Sequence, residues 1–243
     1  MTSQQLEPWP GTRLLHKLPD GYRNEAHLCE RGGELVVAKT TRRSEAAMVW
    51  LLPVQRTARL SGFVVPEFIR SENGHMLENG VTLEAFIEGE AVPKKRLPFI
   101  ETHLKAFHHL TSETAQRPGF ASAEALLTVT SGGDVDLTLM PADLVTRCRE
   151  AWLPLKGEAT SVVHGDLNPS NVLRTPDGRF ALLDWDEARV DARLFDTAQL
   201  TDKNPAEVKR ALLAWEIACS WRLEPGYARR LAERLMTFPE PPS

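Results

Sequence analysis

Asp166 and Asn171 stand five residues apart, and Asp184 follows thirteen residues later, all within SVVHGDLNPSNVLRTPDGRFALLDWDEA. Phosphoryl transfer to a hydroxyl asks for such a set. One carboxylate orients the hydroxyl and accepts its proton, while oxygen ligands hold Mg²⁺ against the transferring phosphates. Asp166 suits the first task, and Asn171 with Asp184 suits the second.

These residues need a scaffold, and the chain alternates in character along its length. Residues 12–40 read as strands, with Arg31-Gly32-Gly33 as the reversal of a hairpin. Thr41 or Ser44 can cap a helix through EAAMVWLL, which Pro53 is expected to end or kink. FVVPEFIRSE, GHMLEN and GVTLEAFIEGE are short apolar pieces punctuated by Asn73-Gly74 and Asn79-Gly80. Residues 12–90 therefore read as a mostly antiparallel sheet carrying one helix. From Ala91 onward, PFIETHLKAFHHLTSE, ASAEALLTV, PADLVTRCREAWLPL, NPAEVKRALLAWEIACSWRL and YARRLAERLM have helical period. A small hairpin is expected to interrupt them, built from SVVHGDL and RFALLDWDEA around Thr175-Pro176-Asp177-Gly178. The fold class is α+β, with an N-terminal part over 1–90 and a helical part over 91–243.

Length and charge narrow the function classes. The 243 residues can form one large domain or two lobes. Lys plus Arg number 29 against 33 Asp plus Glu, a net charge of −4, so no nucleic-acid footprint is present. Cys29, Cys148 and Cys219 are an odd set with no C-x-x-C pair, which points away from a disulfide framework and toward a reducing compartment. The N-terminus lacks the pattern of a secretory signal and no run of about 18 apolar residues occurs, so a cytoplasmic protein with no membrane partner is expected.

His164-Gly165-Asp166, four residues and then Asn171, followed by Leu182-Leu183-Asp184-Trp185, resembles the aminoglycoside phosphotransferase and choline kinase-like family, relatives of the protein kinases. The likeness extends upstream through DGYRNEAHLCERGGELVVAK and downstream to Asp196 in LFDTAQL, the Asp that opens the family's next helix. It implies a protein kinase-like fold with a hinge near 84–90, a catalytic loop at 164–171, a metal segment at 184–186, and ATP or GTP in the cleft between lobes. By the same resemblance, Asp166 is the base, His164 buttresses its loop, Asn171 and Asp184 are Mg²⁺ ligands, and Lys39 binds the α- and β-phosphates. Gly21 and Asn24 belong to the phosphate loop. That loop has a single Gly where protein kinases carry G-x-G-x-x-G, so Tyr22, Arg23 and Asn24 are candidates for side-chain contacts.

Other positions carry two readings each. Lys39 is a phosphate ligand or an edge-strand lysine facing water. Glu45, the only acidic residue between Lys39 and Glu67, is the lysine's helix partner or a favourable charge at a helix N-terminus. The backbone of Glu84, Ala85 and Phe86 either pairs with the adenine edge or simply ends a strand. His108 and His109 read as structural, and Asp186 and Glu187 as an extension of the metal site, an attraction for a cationic acceptor, or a solvated turn. Trp215 and Trp221 offer faces for a cation cage, though Val208, Leu212, Trp215 and Cys219 recur at core spacing.

The acceptor is less well marked. Residues 91–243 hold 19 basic and 21 acidic side chains, a net of −2, a weak field for a polycation such as an aminoglycoside. Choline, ethanolamine, homoserine, fructosamine-type sugars and macrolides are the resemblance's other acceptors. A nucleotide-binding pseudokinase is the competing class, and it usually lacks one of the base, metal Asp or strand Lys. Eleven residues between Asp184 and Asp196 leave little room for the activation segment of a protein kinase.

Overall fold

Asn79 and Gly80 both take positive φ, 53° and 71°, between strands that pair Glu78 with Val81, which is the two-residue hairpin their sequence predicts. The computed structural model describes residues 1–19 and 24–238. In chain order the elements are β1 (Thr12–Lys17), β2 (Ala26–Arg31), β3 (Glu34–Thr40), α1 (Glu45–Leu60), β4 (Leu77–Glu78), β5 (Val81–Ala85), β6 (Glu90–Ala91), α2 (Glu101–Leu110), β7 (Ser131–Gly132), β8 (Val135–Asp136), α3 (Ala142–Trp152), β9 (Thr160–Val163), β10 (Val172–Arg174), β11 (Phe180–Leu182), β12 (Arg189–Ala192), α4 (Leu194–Thr197), α5 (Ala206–Ser220) and α6 (Pro225–Met236). No helix among the described residues is long and apolar enough to cross a membrane.

The chain divides into two compact units. One is built on Met1–Ala91 with Leu173–Leu183, the other on Val92–Val172 with the chain from Asp184 on. The segment 173–183 thus belongs with the N-terminal residues although it lies far along the chain.

The first unit is a five-stranded sheet in the order β1-β2-β3-β5-β4, with every pairing antiparallel. Trp9, Leu6, Cys29, Val36, Ala38, Val81 and Leu83 form one of its buried clusters, and the Trp9 indole donates to the Ile69 carbonyl at 2.8 Å. Ser44 caps α1, its hydroxyl accepting from the Ala47 amide at 3.2 Å. Pro53 does not end this helix: α1 continues to Leu60. An interior Pro costs about 3 kcal/mol. Met48, Leu51 and Val54 are all buried on one face, and each contributes about 1.5–3 kcal/mol, so packing outweighs the lost hydrogen bond.

Two further expectations yield to long-range pairing. FVVPEFIRSE forms no strand; it makes only single bridges, Val64 with Ala181 and Phe68 with Glu84, because Pro66 lacks the amide a continuous ladder needs. The hairpin around Thr175–Gly178 joins β10 to β11, and β10 pairs on its other side with β6. Thr175 and Arg179 hydrogen bond the Asp177 carboxylate across the turn and hold it at about 2. SVV is not part of that hairpin: as β9 it pairs antiparallel with β12, Val163 opposite Arg189.

The second unit buries α3, α5 and α6 around Cys148, Trp152, Phe195, Trp215, Ile217 and Leu235. ASAEALLTV is a single turn of 3-10 helix, Ala125–Leu127, leading into the small β7–β8 hairpin rather than an α-helix. Trp215 is core, as its spacing predicts, and Trp221 is partly buried with its indole donating to the Leu139 carbonyl at 2.8 Å. All three cysteines are free thiols and buried, and burial pushes Cys148 up to about 12.

Candidate active site

The loop after β9 gathers Asp166, Asn168 and Asn171. Pro169 follows Asn168, whose side-chain oxygen accepts the amides of Ser170 at 2.8 Å and Asn171 at 3.2 Å, closing an Asx turn. The turn leaves both side-chain amides pointing back at the carboxylate. Asn168 Nδ2 donates to Asp166 Oδ1 at 2.8 Å, and Asn171 Nδ2 donates to Asp166 Oδ2 at 2.8 Å and to its backbone carbonyl at 3.0 Å. An ionised carboxylate has about four acceptor positions, so each oxygen keeps one for a proton or hydroxyl. No motif marks Asn168, although Asn-Pro two residues after the Asp is a turn signal.

Asp196 holds this loop from beneath. It stands in the first turn of α4 and is fully buried: Oδ2 accepts the His164 amide at 2.8 Å and His108 Nε2 at 2.9 Å, and Oδ1 accepts the Gly165 amide at 2.9 Å. Burial pushes the carboxyl up, but the hydrogen bond from His108, the two imidazoles and the Gly165 amide together hold it below the usual carboxylate range. His108 is thus structural, as expected, and His109 is exposed. His164 is wholly buried, its Nδ1 accepting the Asp166 amide at 3.4 Å and its ring tilted on Trp185 with centroids 4.9 Å apart.

Gly165 has φ +84°, and a Cβ there would lie 2.8 Å from both Arg189 Nη1 and the Glu187 carbonyl. Gly165→Ala is therefore expected to destabilise by about 1–2 kcal/mol through the left-handed backbone alone, with the contact to a fixed carbonyl adding to it. A urea midpoint checks this, and an unchanged midpoint would mean the loop does not keep this conformation in solution.

Asp184 follows β11 with φ 56° and ψ 72°, a left-handed conformation rare outside Gly, Asn and Asp. Trp185 behind it is buried between His164 and Phe107, with centroids 4.9 and 5.7 Å away. The loop and the Asp184 segment are thus packed together through His164–Trp185 and Gly165–Glu187. Among the described residues no group of three or more His, Cys, Asp and Glu could hold a metal by itself. Asn171 Oδ1 accepts no hydrogen bond from any described residue, so a hard oxygen ligand is open beside Asp166. Such a donor set fits Mg²⁺, which keeps several waters and takes one or two carboxylates plus phosphate oxygens. Beyond Asp184, the Asp186 carbonyl accepts from Arg117, and Glu187 Oε2 lies 3.9 Å from Cys219 Sγ.

In the first unit, Lys39 on β3 meets Glu84 on β5, Nζ to Oε2 at 3.2 Å, because the two sit diagonally across a ladder in which Lys39 faces Thr82. Glu45 does not join this pair. As the first residue of α1 it meets His75 Nδ1 at 3.2 Å and stays more than half exposed, the helix-terminus alternative of its two readings. The Ala85 and Phe86 amides are engaged within the unit, donating to the Glu67 carbonyl at 2.9 Å and the Leu35 carbonyl at 3.3 Å. Asn24 lies two residues before β2, next to Glu25, whose amide donates to Thr40 Oγ1 at 2.8 Å. Gly21, Tyr22 and Arg23 lie outside the described residues.

Solved structures share this fold. A microcompartment-associated aminopropanol kinase superposes with TM-score 0.63 at 14% identity, over 97% of this chain and 92% of that one. The choline kinase LicA from Streptococcus pneumoniae gives 0.63 at 14% identity, over 96% and 95%. The ADP-bound aminoglycoside phosphotransferase APH(2'')-Ib gives 0.58 at 16% identity, over 97% and 96%. No curated protein matches the chain in sequence. The model of the phosphotransferase enzyme family matches residues 95–231, more than half of the chain and the whole stretch holding Asp166, Asn171, Asp184 and Asp196. With the loop that motif demands built around a held carboxylate, on a kinase-like α+β fold, the chain belongs to the phosphotransferase enzyme family.

Proposed function

We propose that the protein transfers the γ-phosphoryl group of ATP to a hydroxyl of a small molecule, with Asp166 as the base. The observation that carries this reading is the Asp166 carboxylate, each of whose oxygens takes one side-chain amide and keeps a lone pair for the acceptor proton. The two amides fix the plane of the carboxylate, so the acceptor oxygen is aimed as its proton leaves. Asn171 Oδ1 and the Asp184 carboxylate would hold Mg²⁺, which when bound offsets phosphate charge. Lys39, steadied by Glu84, supplies positive charge for the nucleotide phosphates. Use of a nucleotide is supported by the ADP held in one structural neighbour.

For the acceptor, the net charge of −2 over 91–243 favours a small alcohol over a polycation. Aminopropanol and choline, the alcohols named for two neighbours, are of that size. The test is ADP release from Mg-ATP across amino alcohols, homoserine, ketosamines, macrolides and aminoglycosides, with Asp166→Ala as the blank. Turnover that depends on an acceptor and vanishes in the blank is expected. Equal ADP release by both proteins with every acceptor would sink the assignment.

A further inference from the structure

Arg117 lies in the stretch between α2 and the Ala125–Leu127 turn, which no motif marks, and is buried to 1% exposure. Its Nη1 donates to three backbone carbonyls of the segment that leaves Asp184: Trp185 at 3.2 Å, Asp186 at 2.8 Å and Ala188 at 3.0 Å. Its guanidinium stacks on Phe120, 4.4 Å from the ring centroid. The preceding residue does related work. Gln116 accepts the Val190 amide at 2.9 Å and donates to the Val190 carbonyl at 2.8 Å, as a neighbouring strand would.

Two adjacent side chains thus hold five backbone groups within residues 185–190. Three carbonyl dipoles converging on one buried point repel one another unless a cation sits among them, so Arg117 is what allows that curvature. The first of the three carbonyls belongs to the residue directly after Asp184, whose own backbone is left-handed and needs holding on its downstream side.

We propose that Arg117 and Gln116 are positioning residues for the metal segment, fixing Asp184 through the backbone that comes after it. This rests on the reading of Asp184 as a Mg²⁺ ligand. Changing groups that orient a metal ligand lowers metal affinity by about 10–100-fold. Arg117→Met is expected to fall within that range, Gln116→Ala at its lower edge, and Arg117→Lys to recover part of the loss because an ammonium can still reach a carbonyl.

The experiment titrates Mn²⁺ onto the ADP-loaded protein by electron paramagnetic resonance, with metal-free ADP affinity measured beside it. Asp184→Asn is the control for the reading beneath the proposal. Weaker Mn²⁺ binding in Arg117→Met and Gln116→Ala, with metal-free ADP affinity unchanged, is the expected result. Wild-type Mn²⁺ affinity in both, while Asp184→Asn is weakened, would overturn the proposal and leave the site reading standing. Wild-type affinity in Asp184→Asn would remove that reading and the proposal with it. If Arg117→Met does not fold, Gln116→Ala and Arg117→Lys carry the same expectation. Equal losses of Mn²⁺ and metal-free ADP binding would mark a general structural role and also overturn it.

Discussion

Asp166→Ala is expected to lower kcat by roughly 10²–10⁴-fold, the range that a positioned general base contributes, while leaving nucleotide affinity near that of the wild type. The asymmetry arises from the partners of the side chain. Its two oxygens meet Asn168 and Asn171, whereas the charge proposed for the nucleotide phosphates comes from Lys39, which is paired with Glu84. Removing the carboxylate frees the Asn171 amide, so a modest change in Mg²⁺ requirement accompanies the loss. Asp166→Asn separates the two effects: one amide then faces another amide's N–H groups, so the side chain keeps its size but can neither accept the proton nor satisfy both neighbours. Single-turnover phosphoryl transfer with a confirmed acceptor, beside calorimetric ATP binding, is the measurement. A variant that binds ATP and turns over within a factor of a few of wild type would transfer the role of base to another group.

How far such a site can be read from sequence depends on the range of the contacts that build it. The Asn79-Gly80 hairpin, the strands through Lys39 and the Asp166–Asn171 loop rest on neighbours a few residues apart, and local rules reach them. Pairing of SVV with Arg189–Ala192, Val162 opposite Val190, is a choice among apolar runs of similar make-up, and hairpin rules favour the nearer partner. The same limit explains Glu45: a single acid in the right interval looks like the partner of Lys39, yet Glu84 on the next strand is nearer in space. Pro53 is overruled by the buried face of α1, a tertiary effect. Arg117 and Gln116 carry no motif at all. An arginine in a loop reads as solvated, and only the convergence of three carbonyls from a segment far along the chain shows otherwise.

Asp196→Asn is the second large effect, and it falls first on stability. The carboxylate is fully buried and satisfies three donors: the His164 and Gly165 amides and the His108 ring. An asparagine offers one oxygen for all three and turns its own N–H groups on at least one of them. Breaking a buried charged network costs about 3–5 kcal/mol, against a total of about 5–15 kcal/mol for a typical domain, so a large drop in urea midpoint is expected. The pH dependence carries the sign. Because the folded-state carboxyl is held below its ordinary range, the wild type's advantage is complete above that range and is lost as pH falls through the folded value. The difference in unfolding free energy between wild type and Asp196→Asn should therefore be widest near neutrality and narrow steadily in acid. Parallel stability curves at every pH would mean that Asp196 is not ionised in the fold. With Asp166 as the proposed base, turnover should follow: once the His164 and Gly165 amides are released, the turn that carries Asp166 loses its anchor, and activity in the still-folded fraction is expected to fall along with stability.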